Sequence, residues 1–229
     1  MTMHMQREIE KLKKLVLSLG ADVEENVHKA VQALQARDRG LAEKIIAADA
    51  AVDKFEVYLE EECLKILALH QPVAIDLRFV VAVLKINNDL ERIGDLAVNI
   101  AERAAYLASR EPVEIPFDFI GMASKTKLML KRSLDALVNM DAREAWEVCA
   151  MDDEVDAINR QMYEQVQEGI RQRPDQMESL IHFLSTSRHL ERIADHATNI
   201  AEDVIYMVAG EIVRHKAEDF RPDQEPPTS

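Results

Sequence analysis

The residues best placed to do chemistry in this chain are acids repeated one helical turn apart. Glu91, Asp95, Asn99 and Glu102 stand at i, i+4, i+8 and i+11, and Glu191, Asp195, Asn199 and Glu202 repeat the pattern. On a helix each set falls within an arc of about 80°. Asp49, Asp53, Glu56 and Glu60 share the theme, as do Asp152, Asp156, Asn159 and Tyr163. Like charges at i,i+4 destabilise a helix by roughly a few tenths of a kcal/mol per pair, and a bound cation would relieve that repulsion. Carboxylate oxygens with an Asn carbonyl suit hard or borderline divalent ions: Mg²⁺, Mn²⁺, Fe²⁺ or Zn²⁺. The candidate metal ligands are therefore Asp49, Asp53, Glu91, Asp95, Asn99, Asp152, Asp156, Glu191, Asp195 and Asn199. The competing reading is a solvated face, the usual meaning of a single charged stripe.

Helices must position these acids, and the composition favours helices throughout. Leu, Ala, Glu, Lys, Arg and Met dominate, and the six Gly and seven Pro sit mostly where a helix could end. Aromatic residues are only 5% of the chain against 48% apolar, so the core must be aliphatic. Six segments follow: 3–36, then to His70, Val73 to Ser109, then to Met140, to Arg173, and from Pro174 to about His215. A linker holding Pro112 and Pro116 divides the third from the fourth, and the proline-rich tail after His215 is expected to be disordered. No strand-like alternation occurs, which makes the fold class all-α.

The two halves match. Glu91-Arg92-Ile93-Gly94-Asp95 and Asn99-Ile100-Ala101-Glu102 recur exactly 100 residues later as Glu191-Arg192-Ile193-Ala194-Asp195 and Asn199-Ile200-Ala201-Glu202. Asp38, Ala42, Asp49, Val52 and Asp53 recur at an offset of 103 as Asp141, Ala145, Asp152, Val155 and Asp156. Each half is thus a helical hairpin plus a third helix, giving two tandem pseudo-symmetric three-helix bundles over 1–110 and 111–215. Leu90, Ile93, Ala97, Ile100, Ala101 and Ala104 lie nearly opposite the acidic stripe, so the acids face outward or along the flank of each bundle.

Other features carry less. A net charge of −14 disfavours nucleic acid and favours cations or basic surfaces. Cys63 and Cys149 lie in apolar helical stretches, outside any CxxC, and read as buried reduced thiols. The charged N-terminus is no signal peptide and no long uncharged apolar run exists, so a cytoplasmic location is expected. Arg78, Lys85, Arg92 and Arg103 form a basic file read as ion-pair partners, with an anion site as the alternative. His182, His189 and His196 recur every seven residues, too far apart for neighbours to share one ion, although His196 could assist Asp195. Glu25-x-x-His28 is the one good match to a di-iron ligand pair, and its second-half counterpart is Lys131. Serine or cysteine nucleophile constellations and phosphate-cradling glycine motifs are not evident, so no catalytic residues are expected.

Gln71-Pro72-Val73-Ala74-Ile75-Asp76-Leu77-Arg78, Asp89-Leu90-Glu91-Arg92-Ile93-Gly94-Asp95 and His189 to Ala197 resemble the PhoU family across nearly the whole chain. That resemblance implies pseudo-symmetric three-helix bundles and a homodimer. It implies a non-enzymatic negative regulator of the phosphate-starvation response and of phosphate uptake. Its partners would be the ATPase subunit of the phosphate ABC transporter and a sensor histidine kinase, reaching the membrane only through them. It also implies metal at (E/D)xxxD motifs, which stand here as Asp49/Asp53, Glu91/Asp95, Asp152/Asp156 and Glu191/Asp195. The second-half version of the Pro-Val-Ala-x-Asp-Leu-Arg segment is reduced to Pro174. The alternative function is a carboxylate-based metal-storage or di-iron helical protein.

Overall fold

The computed structural model describes residues 3–113 and 118–210. Six long helices account for most of them: α1 (Met3–Ala36), α2 (Arg39–His70), α3 (Ala74–Ala108), α4 (Phe119–Asn139), α5 (Ala142–Gln172) and α6 (Met177–Ala209). No strand occurs among the described residues, and none of their helices is long and apolar enough to cross a membrane. The all-α expectation is met.

Helix ends follow local chemistry. Arg37 adopts φ 54° and ends α1, and the Asp38 carboxylate then accepts from the Leu41 N–H at 2.9 Å to start α2. The second half repeats the device. Met140 adopts φ 52° after α4, and Asp141 accepts from the Arg143 and Glu144 N–H groups to start α5. Pro174 opens a single 3₁₀ turn over Pro174–Gln176, so α6 begins at Met177. The expected sixth helix to about His215 is corrected at its far end. Gly210 takes φ 76°, and its N–H bonds the Tyr206 carbonyl at 2.9 Å, closing α6 at Ala209. The expected disordered tail and Pro116 lie outside the described residues.

α1, α2 and α3 pack as one three-helix bundle, and α4, α5 and α6 as the other. The bundles are joined along α3 and α6, with a smaller contact between α1 and α4. One continuous aliphatic cluster runs through both, and Leu90, Ile93, Ile100, Leu190, Ile193 and Ile200 are fully buried in it. Fully burying such a side chain contributes about 1.5–3 kcal/mol.

The α3–α6 seam is antiparallel. Lys85 pairs with Asp203 at 2.9 Å, Asp89 meets His196 at 2.8 Å, Tyr106 stacks on His182 at 4.0 Å, and Arg110 reaches Glu178 at 3.5 Å. As the α3 number rises, the α6 number falls in step, which sets Gly94 level with Ala194. These residues are also equivalent in the repeat, so the pseudo-twofold passes beside them.

Asp203 is only 2% exposed, and Lys85 is the cation at its carboxylate. Removing one partner of a largely buried pair strands the other charge. Lys85→Ala should therefore destabilise the fold by about 2 kcal/mol in urea unfolding, and Lys85→Arg should recover most of it.

Candidate metal centre

The acids of each half converge because two outward stripes meet at one seam. Val52 on α2 packs against Gly94 on α3 so closely that a Cβ on the glycine would lie 3.4 Å from Val52 Cγ1. The next residue on each helix is an acid, Asp53 and Asp95. With Asp49 one turn before Asp53, the three offer carboxylate oxygens that all lie within 4.8 Å of one another. They are the one such group of three His, Cys, Asp or Glu among the described residues. Asp49 and Asp95 are half-buried and Asp53 is exposed, so an ion could enter from solvent.

The electrostatics record the crowding. Burial, then the charges of Asp53 and Asp95, raise the Asp49 pKa above its ordinary value. Glu91 is raised by burial and next by Asp95, with Glu56 and Asp53 adding to it. Glu56 is raised by burial and by Glu60 and Asp53. The Asn99 amide donates to the Asp95 backbone carbonyl at 2.9 Å, which fixes the side chain one turn beyond the triad.

The second half builds a related cluster, with Asp152 half-buried and Asp195 exposed. Asp152 is pushed up to about 6 by burial, then by Asp195, Asp156 and Asp153. Its Oδ1 is buried without a well-formed hydrogen bond. Glu191 and Asp195 are also raised, burial first, and both respond to the charge of Asp156. Asp152, Asp156, Glu191 and Asp195 thus sense one another across α5 and α6. Asn199 does not share in this: its amide donates to Asp89 Oδ1 on α3 at 3.2 Å.

Two residues outside the proposed ligand set belong to the first site. Glu56 couples to Glu91, and the Asn87 amide donates to the Glu56 backbone carbonyl at 3.0 Å and to Oε1 at 3.1 Å. Asn87 stands four residues before Glu91, so the one-turn spacing carries that signal back along α3.

The donor set fits a divalent ion with oxygen ligands. All three atoms of the close triad are carboxylate oxygens, and the raised pKa values mark groups that a cation would stabilise as anions. Asp49, Asp53 and Asp95 would hold it, with Glu91 and Glu56 within electrostatic reach.

The other candidates resolve differently. His196 Nδ1 is engaged by Asp89, across the halves, and its ring acts on Asp195 through charge, lowering that carboxyl's pKa against the larger effect of burial. His189 is half-buried near Arg103 and Arg192, and desolvation above all lowers its pKa to about 4. The basic file divides: Lys85 serves Asp203, Arg92 lies beside Glu91, Arg103 beside Glu102, and Arg78 lies against Gly210. Glu25 and His28 open on a groove of about 640 Å³ between α1 and α4. There Lys127 Nζ comes within 3.4 Å of His28 Nδ1, and Glu25 pairs with Lys29, a setting hostile to a di-iron centre. Cys63 and Cys149 are buried and free, and burial raises each thiol to about 12, so both are unreactive.

A family model described as the PhoU domain matches residues 16–104 and again 119–204, one match for each half. The chain belongs to the PhoU family. It is 37% identical to the phosphate-specific transport system accessory protein PhoU homolog of Aquifex aeolicus, over 93% of this chain and 97% of that one. The corresponding homolog of Clostridium acetobutylicum is 34% identical over 91% of this chain and 95% of its own. The crystal structure of PhoU from Pseudomonas aeruginosa superposes with a TM-score of 0.86 at 35% identity, covering 90% of this chain and 99% of that one. The phosphate transport system regulatory protein PhoU from Streptococcus pneumoniae gives 0.81 at 32%, covering 91% and 99%. The family carries the tandem-bundle architecture found here.

A carboxyl whose folded pKa is raised binds its proton more tightly in the folded state, so its penalty appears as pH rises. For Asp152 the window runs from its ordinary 3.8 to about 6. His189 works oppositely below its ordinary 6.5, so wild type must be read against a variant. In metal-free protein at pH 7.5, Asp152→Asn should be more stable than wild type by about 1 kcal/mol. The gap should close as pH falls through 6 towards 4, as measured by thermal unfolding.

Proposed function

We propose that the protein is a non-enzymatic negative regulator of the phosphate-starvation response and of phosphate uptake. In this reading it is a cytoplasmic homodimer that acts as an adaptor between the ATPase subunit of a phosphate ABC transporter and a sensor histidine kinase. It reaches the membrane only through those partners and binds no nucleic acid. The observation that carries the reading is similarity along more than nine-tenths of the chain to proteins named as accessory to phosphate-specific transport.

Divalent metal at the surface carboxylates is the second element of the proposal. Asp49, Asp53 and Asp95 form the favoured site, with Glu91 and Asn99 on its border; Asp152, Asp156, Glu191 and Asp195 form the other, bordered by Asn199. The convergence of three oxygens within 4.8 Å supports the first. A net charge of −14 raises the local cation concentration around both. Binding there would neutralise an acidic face and so change how it meets a partner.

The test is complementation. A strain lacking the gene should express a phosphate-starvation reporter even in high phosphate, and wild type should silence it. Unchanged reporter output after deletion sinks the regulatory reading. For the site, Asp49→Asn/Asp53→Asn/Asp95→Asn should lower the purified protein's bound Mn²⁺ or Zn²⁺ by at least one equivalent per chain in calorimetry. Equal binding would return those acids to a solvated face.

A further inference from the structure

α2 is packed on one side only, against α1 and α3. Its outer face carries Ala50, Val57, Leu64 and Ala68, spaced seven, seven and four apart, the spacing of a helix–helix seam. Val57 is 51% exposed and Leu64 52%, and both alanines are exposed as well.

The duplication supplies an internal control. α5 holds the same place in the second bundle, and at an offset of 103 it carries Asp153, Arg160, Gln167 and Arg171, all exposed. The fold therefore does not require an apolar stripe at these positions. On α2 the stripe is left uncovered by the described helices.

Charge selects the occupant. Asp53 and Glu60 line one edge of the stripe, and Glu61 with Lys54 the other, all four exposed. Lys65, farther round the helix, is tied to Glu62 at 2.8 Å. A second copy laid antiparallel across the stripe would bring Asp53 and Glu60 against their own counterparts, a repulsive contact along that edge. A basic partner meets no such repulsion.

We propose that the α2 face centred on Val57 and Leu64 docks an amphipathic helix of a partner protein, its apolar stripe flanked by Lys and Arg. The apolar residues provide the anchors, and Glu60 and Glu61 set orientation. The metal site is not required for this contact.

The test uses the full chain in EDTA and a labelled synthetic helical peptide with leucines at heptad spacing between lysines and arginines. Fluorescence anisotropy should show binding that falls at least tenfold with Val57→Gln/Leu64→Gln, a change that leaves net charge untouched and places glutamine where α5 already tolerates it. Circular dichroism checks that the variant keeps its helices. Glu60→Gln/Glu61→Gln should weaken binding and reduce its salt dependence. A peptide with serine in place of leucine should bind at least tenfold more weakly than the parent. Unchanged affinity in the Val57/Leu64 variant, or equal binding of the serine peptide, overturns the proposal. A change of oligomeric state in that variant on sedimentation also overturns it, assigning the stripe to a second copy.

Discussion

The antiparallel packing of α3 on α6 holds the rest of the molecule in place. Each of these helices is the third of its own bundle, and each is also half of the joint between bundles. Surrounded this way, they bury mainly Leu, Ile, Val and Ala, together with polar residues such as Asn87 and Asp89 on α3 and Ser179, Thr186, Ser187 and Asp203 on α6. Lys85–Asp203 and Asp89–His196 fix the register in a way an aliphatic surface cannot. Sliding one helix by a turn would strand the nearly buried Asp203 carboxylate away from its cation, a far larger penalty than any gain from repacking leucines.

That joint also determines where acids can emerge. With three sides of α3 covered by α1, α2 and α6, a charged stripe can reach solvent only along the edge it shares with α2. The α2 stripe reaches the same edge from the other side, and two weak i,i+4 repulsions become a cluster of at least three interacting carboxylates. Local helix propensity alone would disperse these charges. Tertiary packing overrides it, since the aliphatic contacts beneath, each worth about 1.5–3 kcal/mol, exceed repulsions of roughly a few tenths.

Much of this was legible in the sequence, and the remainder has a consistent cause. The proline and glycine punctuation, the apolar period and the repeats of Glu-Arg-Ile-x-Asp and of Asp38 as Asp141 are local signals, and they located the helices and the duplication. Gly210 is a stop signal for α6, yet the sixth segment read from the sequence runs on to about His215. What a helical pattern cannot supply is the register between helices. It shows which way Asp95 and Asp53 point relative to their own cores, but not that they face each other. The same limit concealed the pairing of His196 and Asn199 with Asp89, since that contact crosses between halves more than a hundred residues apart.

The duplication separates what the fold demands from what has been added to it. Positions that agree across the repeat, such as Ile93 with Ile193 or Asp38 with Asp141, answer to packing and capping. The polar seam does not agree: Asp89 corresponds to His189, Lys85 to Ser185 and Arg103 to Asp203. The two acidic clusters differ in the same manner. The first gathers its oxygens closely at an accessible edge. The second places Asp152 where burial raises it to about 6, so near neutral pH its ionised form is held at greater electrostatic cost. The two copies of one repeated pattern thus differ in how strongly burial opposes ionisation of the equivalent aspartates, Asp49 and Asp152.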